Sequence, residues 1–362
     1  MAMPEIPDEL AGRAEVLREL SRDGGPLSPE APRATINDPE WFRQLPNGEL
    51  VPTAQRRELH RELLAQFYEE NGRGDQGHQA VMLAGPPGAG KGSIRAQVLA
   101  EAGERFTVVD PDEFKVLLIR AAVEDGSIQR MMPPEATERG VELAPMELAA
   151  LVHEESSMLA GRVRQQAIRH GENVVVDGVL ANEAKALRLA GQLACAGYDV
   201  QVVDVEVPAE VSRQRIAQRW VEQTKDSELG GRWVPSEFRE SVFDVRGGAN
   251  SRCDQAARAV AEQVDGVSRY RRYFTTAEQA RQEVATPRLT AELRRDRDGA
   301  MRAVEVPKKD APRGPRSAAE IAAQSFGRPA NQGAHTAPPS ARPGPRTPPP
   351  SAMRDQPFGM GY

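Results

Sequence analysis

Short apolar runs alternate with longer amphipathic stretches along this chain, and the alternation predicts an α/β protein. Five short runs, three of them rich in valine, are predicted β-strands, at 79–84, 106–110, 173–177, 199–206 and roughly 268–274. Helical spacing predicts helices near 91–102, 113–124, 147–170, 182–196, 208–224, 235–244, 252–265 and 276–297. Because near-continuous valine runs are typical of strands buried on both faces, we expect a mostly parallel sheet covered by helices.

The same patterning divides the chain into three parts. Residues 1–50 form an N-terminal arm that is predicted to be partly helical and to dock through Trp41 and Phe42. Residues 51–298 carry the alternating strands and helices of one α/β domain. Residues 299–362 are rich in proline and poor in large apolar residues. Such a segment buries too little surface to offset its ordering entropy, so we expect a disordered tail.

Composition limits the classes of function. The 362 residues carry a formal net charge of −6, which does not favour nucleic acid or an anionic membrane as a partner. No apolar run reaches the length of about 18 residues that a transmembrane helix needs, and the acidic N-terminus is unlike a signal peptide. Cys195 and Cys253 have no metal-binding spacing and are expected to be reduced thiols. We therefore expect a cytoplasmic protein.

A glycine-rich loop follows the first predicted strand and precedes a helix. Its residues, predicted to bind nucleotide phosphates, are Gly85, Pro86, Pro87, Gly88, Ala89, Gly90, Lys91, Gly92 and Ser93. Glycines allow backbone N–H groups to surround a phosphate, and the lysine reaches the β- and γ-phosphates. The strict P-loop pattern has Ser or Thr directly after the lysine. Here Gly92 intervenes, so we expect Ser93 to approach a Mg²⁺ ion indirectly.

Carboxylates follow the next two predicted strands. Asp110 and Asp112 come after the second strand, and Asp177 ends the third. Ligands bind beyond the carboxyl ends of parallel strands, so these aspartates are expected beside the phosphate loop. Asp112 is a candidate base for an acceptor hydroxyl, and Asp177 or Asp110 a candidate for ordering the water around Mg²⁺. Pro111 and Glu113 also suit a helix start, so either Asp110 or Asp112 could serve only as a helix cap.

Arginines follow Pro208, where another helix is predicted to begin. Arg213 and Arg215 are expected to lie on the solvent face of this helix. Arg219, and Arg232 in the Gly230–Gly231 loop that follows, are candidates for neutralising the charge on a transferring phosphate. His153, at the start of the helix predicted over 147–170, is either a ligand-orienting residue or a histidine bonded to the backbone.

Taken together, these segments resemble the zeta toxin family of bacterial toxin–antitoxin kinases. The resemblance covers roughly residues 51–280 and rests on GPPGAGKGS, VVDPDEFK, the segment from Val152 to Gly178, and VPAEVSRQRIAQRW. It implies a P-loop kinase-like three-layer α/β fold and the phosphorylation of UDP-N-acetylglucosamine with ATP or GTP and Mg²⁺. It also implies an antitoxin protein as partner. The family's base maps to Asp112, its loop lysine to Lys91, and its two phosphate-binding arginines to Arg219 and Arg232.

The chain departs from the family pattern mainly at the acceptor. After the third predicted strand the family often has Thr and Arg near the sugar, whereas residues 177–182 read Asp-Gly-Val-Leu-Ala-Asn. A family carboxylate in the preceding helix aligns with Gly161. Residues 127–150 are expected to line the acceptor site.

Other functions remain open at this point. A P-loop kinase of a nucleoside, an antibiotic or a dinucleotide would keep every nucleotide-site residue named above. A non-catalytic NTP-binding module that recruits partners through its proline-rich tail is a second alternative. Phosphorylation of nucleic-acid ends is disfavoured, because the chain has no basic stripe interleaved with aromatic residues.

Overall fold

The valine-rich runs form the centre of a seven-stranded sheet. The computed structural model describes residues 6–245, 250–282 and 286–306, so most of the predicted tail, from 307 onward, lies outside the described residues. The strands are β1 (Phe42–Gln44), β2 (Leu50–Pro52), β3 (Gln79–Ala84), β4 (Thr107–Val109), β5 (Val174–Asp177), β6 (Asp199–Glu206), β7 (Val267–Phe274), β8 (Arg288–Arg295) and β9 (Met301–Ala303). The first two form a separate small antiparallel sheet.

Strand order in the large sheet places three loops side by side. The order is β4-β5-β3-β6-β7-β8-β9, and the first five of these strands are parallel. Since β5 lies between β4 and β3, their carboxyl ends bring together the residues after Val109, the end of β5 at Asp177 and the glycine-rich loop after Ala84. The residues predicted to carry the chemistry therefore lie together at one edge of the sheet.

Helices cover both faces of the sheet. They are α1 (Asp8–Leu20), α2 (Ala54–Asn71), α3 (Lys91–Ala102), α4 (Pro111–Glu124), α5 (Ile128–Met131), α6 (Pro134–Glu138), α7 (His153–His170), α8 (Glu183–Cys195), α9 (Ala209–Asp226), α10 (Ser236–Phe243), α11 (Arg252–Gln263) and α12 (Ala277–Ala280). Short 3₁₀ helices span Thr35–Asn37 and Pro145–Leu148.

Alternate side chains of β3 pack into different apolar clusters. Val81 and Leu83 pack in a cluster with Ile94 of α3. Ala80 and Met82 belong to the larger cluster on the other face. The predicted three-layer α/β fold with a mostly parallel sheet is confirmed. Within the described residues, every helix is too short or too polar to span a membrane.

One long predicted helix is wrong. The run 276–297 was expected to be helical, but α12 ends at Ala280 and β8 occupies Arg288–Arg295. β8 pairs antiparallel with β7, and β9 pairs with β8 in turn. Only Glu292 of β8 is buried among its eight residues, and the half-buried and exposed remainder is rich in polar residues that also suit a helix.

The N-terminal arm packs into the same core as the sheet. α1 forms as predicted, and Leu17, Leu20 and Leu27 of the arm are at most 3% exposed. Phe42 is buried, and Trp41 lies 4.5 Å from the guanidinium carbon of Arg56. The arm thus contributes to the main apolar cluster.

Candidate active site

The glycine-rich loop turns tightly between β3 and α3. Gly85 has φ +142°, and a Cβ there would stand 2.1 Å from the carbonyl oxygen of Val205. Gly88 has φ +76°, and its Cβ would lie 3.1 Å from the carbonyl oxygen of Ser212. Both positions therefore need glycine, because the loop approaches the backbone of β6 and α9 closely.

Lys91 bends back over the loop. Its Nζ donates to the carbonyl oxygen of Gly85 at 2.8 Å, so its charge lies inside the turn. Ser93 is exposed, and its Oγ donates to the carbonyl oxygen of Gly90 at 2.8 Å. A Cβ on Gly92 would meet open space. Residues 87–92 line the main cleft of the molecule, whereas Gly85, Pro86 and Ser93 do not.

Asp110 is both a helix cap and a member of a carboxylate group. Its Oδ1 accepts from the backbone N–H of Asp112 at 2.9 Å, which caps α4. Arg95 of α3 lies between this residue and the end of β5, 2.9 Å from Asp177 and 3.7 Å from Asp110. Burial and the nearby charges of Asp112 and Asp177 raise the pKa of Asp110 to about 6. Burial also raises the pKa of Asp177. Negative charge is therefore in excess at this edge.

Asp112 has two cationic partners. Its Oδ1 lies 3.1 Å from Nζ of Lys115, and its Oδ2 pairs with the guanidinium of Arg232. Burial alone would favour the protonated acid, but these two cations outweigh it and hold the pKa of Asp112 well below its usual range. The candidate base is therefore a carboxylate at neutral pH.

Lys115 is a site residue that the motifs did not indicate. Its side chain is 8% exposed, and burial together with the charge of Arg232 lowers its pKa. It follows Asp112 by three residues on α4, so one helical turn places both side chains on the same face.

α9 and the loop after it supply arginines to the cleft, as expected for Arg219 and Arg232. Both side chains line it, and burial and the charge of Arg232 lower the pKa of Arg219. Gly231 fits so closely against α9 that a Cβ would stand 2.2 Å from the carbonyl oxygen of Trp220. This contact fixes the backbone next to Arg232.

The expectation that Arg215 faces solvent is wrong. Its Nη1 donates to the carbonyl oxygen of Gly88 at 3.1 Å, and its side chain lines the cleft. Ser212, one turn earlier, donates to the carbonyl oxygen of Pro87 at 2.7 Å. Two side chains of α9 thus hold the phosphate loop directly.

Two further ionisable groups lie near the aspartates. His153 lines the cleft, and burial and the charge of Lys115 lower its pKa to about 4, so it is neutral at physiological pH. Burial and the charge of Asp110 raise the pKa of Glu113 to about 7. Sequence reasoning named His153 but gave Glu113 only a part in the helix start, because the nearby charges of Arg95, Asp177 and Glu70 are distant in sequence.

One cleft, with a volume of about 1590 Å³, joins these groups. Its inner part is formed by the phosphate loop, the start of α4 and α9. Its outer part is formed by residues of the N-terminal arm and of α10. Of the segment 127–150, which was expected to line the acceptor site, only Ala149 and Ala150 reach this cleft. That expectation is wrong for most of the segment, whose large apolar residues Met131 and Leu148 are buried in the core.

Comparison with known proteins adds a family match. The family model described as Zeta toxin matches residues 69–278, which is more than half of the chain. The matched segment begins within α2 and ends within α12, so it includes the phosphate loop, the aspartates and both arginines. A comparison with curated proteins finds no significant match.

Several solved structures are distantly similar. The crystal structure of AvrRxo1-ORF1:AvrRxo1-ORF2 with sulphate ions is 23% identical over 70% of each chain, with a TM-score of 0.47. The complex with ATP is 23% identical over 70% of each chain, with a TM-score of 0.45. A structure of the PezAT chromosomal toxin–antitoxin system of Streptococcus pneumoniae is 15% identical over 60% of this chain and 77% of that chain, with a TM-score of 0.42. Likeness at this level concerns the general fold alone.

Proposed function

Because the chain belongs to the zeta toxin family, we propose that it is an ATP- or GTP-dependent phosphotransferase with Asp112 as its base. It transfers the γ-phosphate to a hydroxyl group of a small molecule. The family's substrate class makes a UDP-activated amino sugar, UDP-N-acetylglucosamine, the first candidate acceptor.

The observation that carries this proposal is the setting of Asp112. An ionised carboxylate lies in the same cleft as Lys91, and two cations keep it in the form that accepts a proton. A kinase needs such a carboxylate to take the proton of the acceptor hydroxyl as the oxygen attacks the γ-phosphate. A module that only binds nucleotide would have no use for a carboxylate held in this form.

The surrounding residues supply positioning and charge. Backbone N–H groups of 88–92 and the Lys91 ammonium hold the triphosphate, and Arg215 keeps the loop in place. Arg219 and Arg232 neutralise the charge that spreads over the phosphate during transfer. Removal of an arginine in this role lowers turnover by about 10³–10⁵. Positioning and electrostatics of this kind supply most of the rate in phosphoryl transfer.

The residues at this strand edge fit a Mg²⁺ ion that is held mainly by phosphate. Among the described residues, no group of three or more His, Cys, Asp or Glu forms a metal site by itself. Mg²⁺ commonly binds one or two carboxylates together with substrate phosphates and water. Burial and the neighbouring carboxylates of Asp112 and Asp177 raise the pKa of Asp110, and carboxylates gathered in this way suit such an ion. Asp177 or Asp110 would hold its water, with Ser93 nearby, and the ion would neutralise charge on the β- and γ-phosphates.

A different acceptor is the second candidate, and one observation favours it. Residues 178–182 line the cleft but present Gly, Val, Leu, Ala and Asn where the family often has Thr and Arg near the sugar. A nucleoside, an antibiotic or a dinucleotide would use the same phosphate-side residues. The family also suggests an antitoxin as partner, which co-purification from the native host would test.

The purified Asp112→Asn variant tests the proposal. It should bind ATP nearly as well as the wild type but transfer phosphate about 10²–10⁴ times more slowly, because asparagine cannot accept the proton. Lys91→Ala should instead weaken ATP binding. Calorimetry measures ATP binding, and labelled ATP with a panel of acceptors measures phosphate transfer.

Asp265→Asn is the matched control, because Asp265 is fully exposed and does not line the cleft. Wild-type turnover by Asp112→Asn on the true acceptor would show that another group is the base. Induced expression of wild type and Lys91→Ala, followed by metabolite profiling, identifies the acceptor as a new phosphorylated species.

A further inference from the structure

The N-terminal arm forms one side of the cleft. Five of the residues between 21 and 30 line it, namely Ser21, Asp23, Ser28, Pro29 and Glu30. We call residues 21–30 the arm segment. The family match begins only at residue 69, so it assigns no role to this segment.

Polar contacts fix the arm segment to the catalytic part of the chain. Ser21 Oγ accepts from Trp233 Nε1 at 3.0 Å, and the backbone N–H of Asp23 donates to Glu237. Beyond the segment, the backbone N–H of Thr35 donates to the carbonyl oxygen of Leu151 at 2.9 Å, close to the start of α7. Trp233 directly follows Arg232, so the arm is bonded to the loop that carries a proposed phosphate-binding arginine. These hydrogen bonds therefore hold the arm segment in place as part of the cleft wall.

Ser28 gives this part of the cleft an unused hydrogen-bonding group. It is 3% exposed and lines the cleft, and its hydroxyl has no hydrogen-bond partner among the described residues. A buried hydroxyl without a partner costs stability. Rotation about one side-chain bond redirects the hydroxyl, which can both donate and accept. The oxygen is closed to solvent as the side chain stands, so a polar group of a ligand in the cleft becomes its partner only after this rotation.

Phe238 of α10 supplies an aromatic face to the same cleft. Its side chain is 44% exposed, and it is one of four large apolar residues classed as exposed in the described part of the chain. The other three are Leu45, Val123 and Val304, and none of them lines the cleft. Exposed aromatic rings in clefts are suited to stacking against bases and other rings.

We propose that the arm segment and Phe238 form the acceptor subsite, and that this subsite binds a ring-bearing group with polar edges. The sugar or base of a nucleotide-type acceptor has this chemistry: its face stacks on Phe238 and its edge bonds to Ser28. The assignment rests on the proposed function, since only a phosphotransferase needs an acceptor beside Asp112.

Calorimetry of four variants tests the subsite. The full chain is loaded with a non-hydrolysable ATP analogue and Mg²⁺, then titrated with UDP-N-acetylglucosamine and, separately, with NAD. The wild type should bind at least one probe. Ser28→Ala and Phe238→Ala should each bind it about tenfold or more weakly, since a lost hydrogen bond or stacking contact has about this effect.

Stability separates this role from a structural one. Ser28→Ala should not lower the thermal midpoint, because the lost hydroxyl had no protein partner. Ser127→Ala is its matched control, since Ser127 also has an unpartnered hydroxyl but does not line the cleft. Leu45→Ala is the control for Phe238→Ala, since Leu45 is also exposed but does not line the cleft. Both controls should bind the probe as the wild type does.

Two results would overturn the subsite. One is unchanged probe affinity in both Ser28→Ala and Phe238→Ala. The other is a wild type that takes up the ATP analogue but binds neither probe. A wild type that does not take up the analogue would instead contradict the proposed function.

Discussion

At the scale of single residues, the site depends on how charges are arranged around Asp112. Sequence motifs indicated Asp112 and Lys91 because each occupies a fixed place after a strand. Motifs gave no sign of Lys115, whose ammonium lies 3.1 Å from the same carboxylate. We interpret Lys115 as a positioning residue, because its contact in the structure is with Asp112 and it acts through the ionisation and orientation of that carboxylate.

The variant Lys115→Met should slow phosphate transfer by about tenfold at pH values on the acidic limb of the pH–rate profile and leave ATP binding nearly unchanged. Lys115 contributes to the depressed pKa of Asp112, so its removal raises that pKa. Since the base must be ionised, the acidic limb of the pH–rate profile should move to higher pH. Lys115→Arg keeps the charge and should restore the limb in part.

A merely structural role would lower activity without moving the limb. Lys225→Met is the control, because Lys225 is half-exposed and pairs with Glu9 outside the cleft. The interpretation would be contradicted if the acidic limb of the pH–rate profile stayed at the same pH in Lys115→Met and in the control as in the wild type.

At the scale of elements, the buried strand β6 carries carboxylates that the mechanism does not use. Asp204 and Glu206 are fully buried, and they lie close to Asp254 of α11. Ser251 and Asn250 donate to Glu206, while Asp204 Oδ1 has no hydrogen-bond partner among the described residues. Burial and the neighbouring carboxylates raise the pKa of Asp204 well above its usual range. This group therefore favours the folded state when protonated.

Asp204→Asn should stabilise the protein at alkaline pH. The folded-state pKa is raised, so the stability that the protonated acid contributes is complete at low pH and is lost as the pH rises through that pKa. Asparagine imitates the protonated acid, and the thermal midpoint of the variant should exceed that of the wild type by about 2 °C or more above pH 8. The difference should shrink toward pH 5. A difference that grows on acidification, measured by calorimetric scans, would refute the assignment.

Elements also show what the sequence could and could not predict. β3 and β6 were predicted to the residue, because β3 is an apolar run and β6 carries valines at nearly every second position, each with clear breaks on both sides. β8 was predicted as helix, since Arg, Glu and Ala favour helices and no apolar residue of this strand is fully buried. Its pairing with β7 is a tertiary contact that overrides local propensity. The direction of Arg215 likewise depends on how α9 lies against the phosphate loop.

At the scale of the whole molecule, the arm and the α/β part share one core. Docking of the arm through Trp41 and Phe42 was predicted, but the burial of its leucines was not, because any buried helix could supply them. Glu147 joins three parts of the chain: it accepts from Arg13 of α1, from Trp220 of α9 at 3.0 Å and from the backbone N–H of Ala144 at 2.8 Å. Its side chain is fully buried.

The arm should therefore unfold together with the rest of the described structure. Leu17→Ala removes a fully buried side chain and should cost about 2–5 kcal/mol of the free energy of unfolding. Leu45→Ala, at an exposed position of the arm, should change it by less than about 0.5 kcal/mol. Urea denaturation followed by fluorescence and by circular dichroism measures both. Separate transitions for the two probes would show that the arm folds independently.

The position of Glu147 has a consequence for protein engineering. A hybrid that grafts the α/β part onto a foreign leader would keep Glu147 and Trp220 but lose the guanidinium of Arg13. The buried carboxylate of Glu147 would then have fewer hydrogen-bond donors, beneath the helix that carries Arg219. Recombination between relatives should therefore succeed only when the crossover point lies upstream of α1.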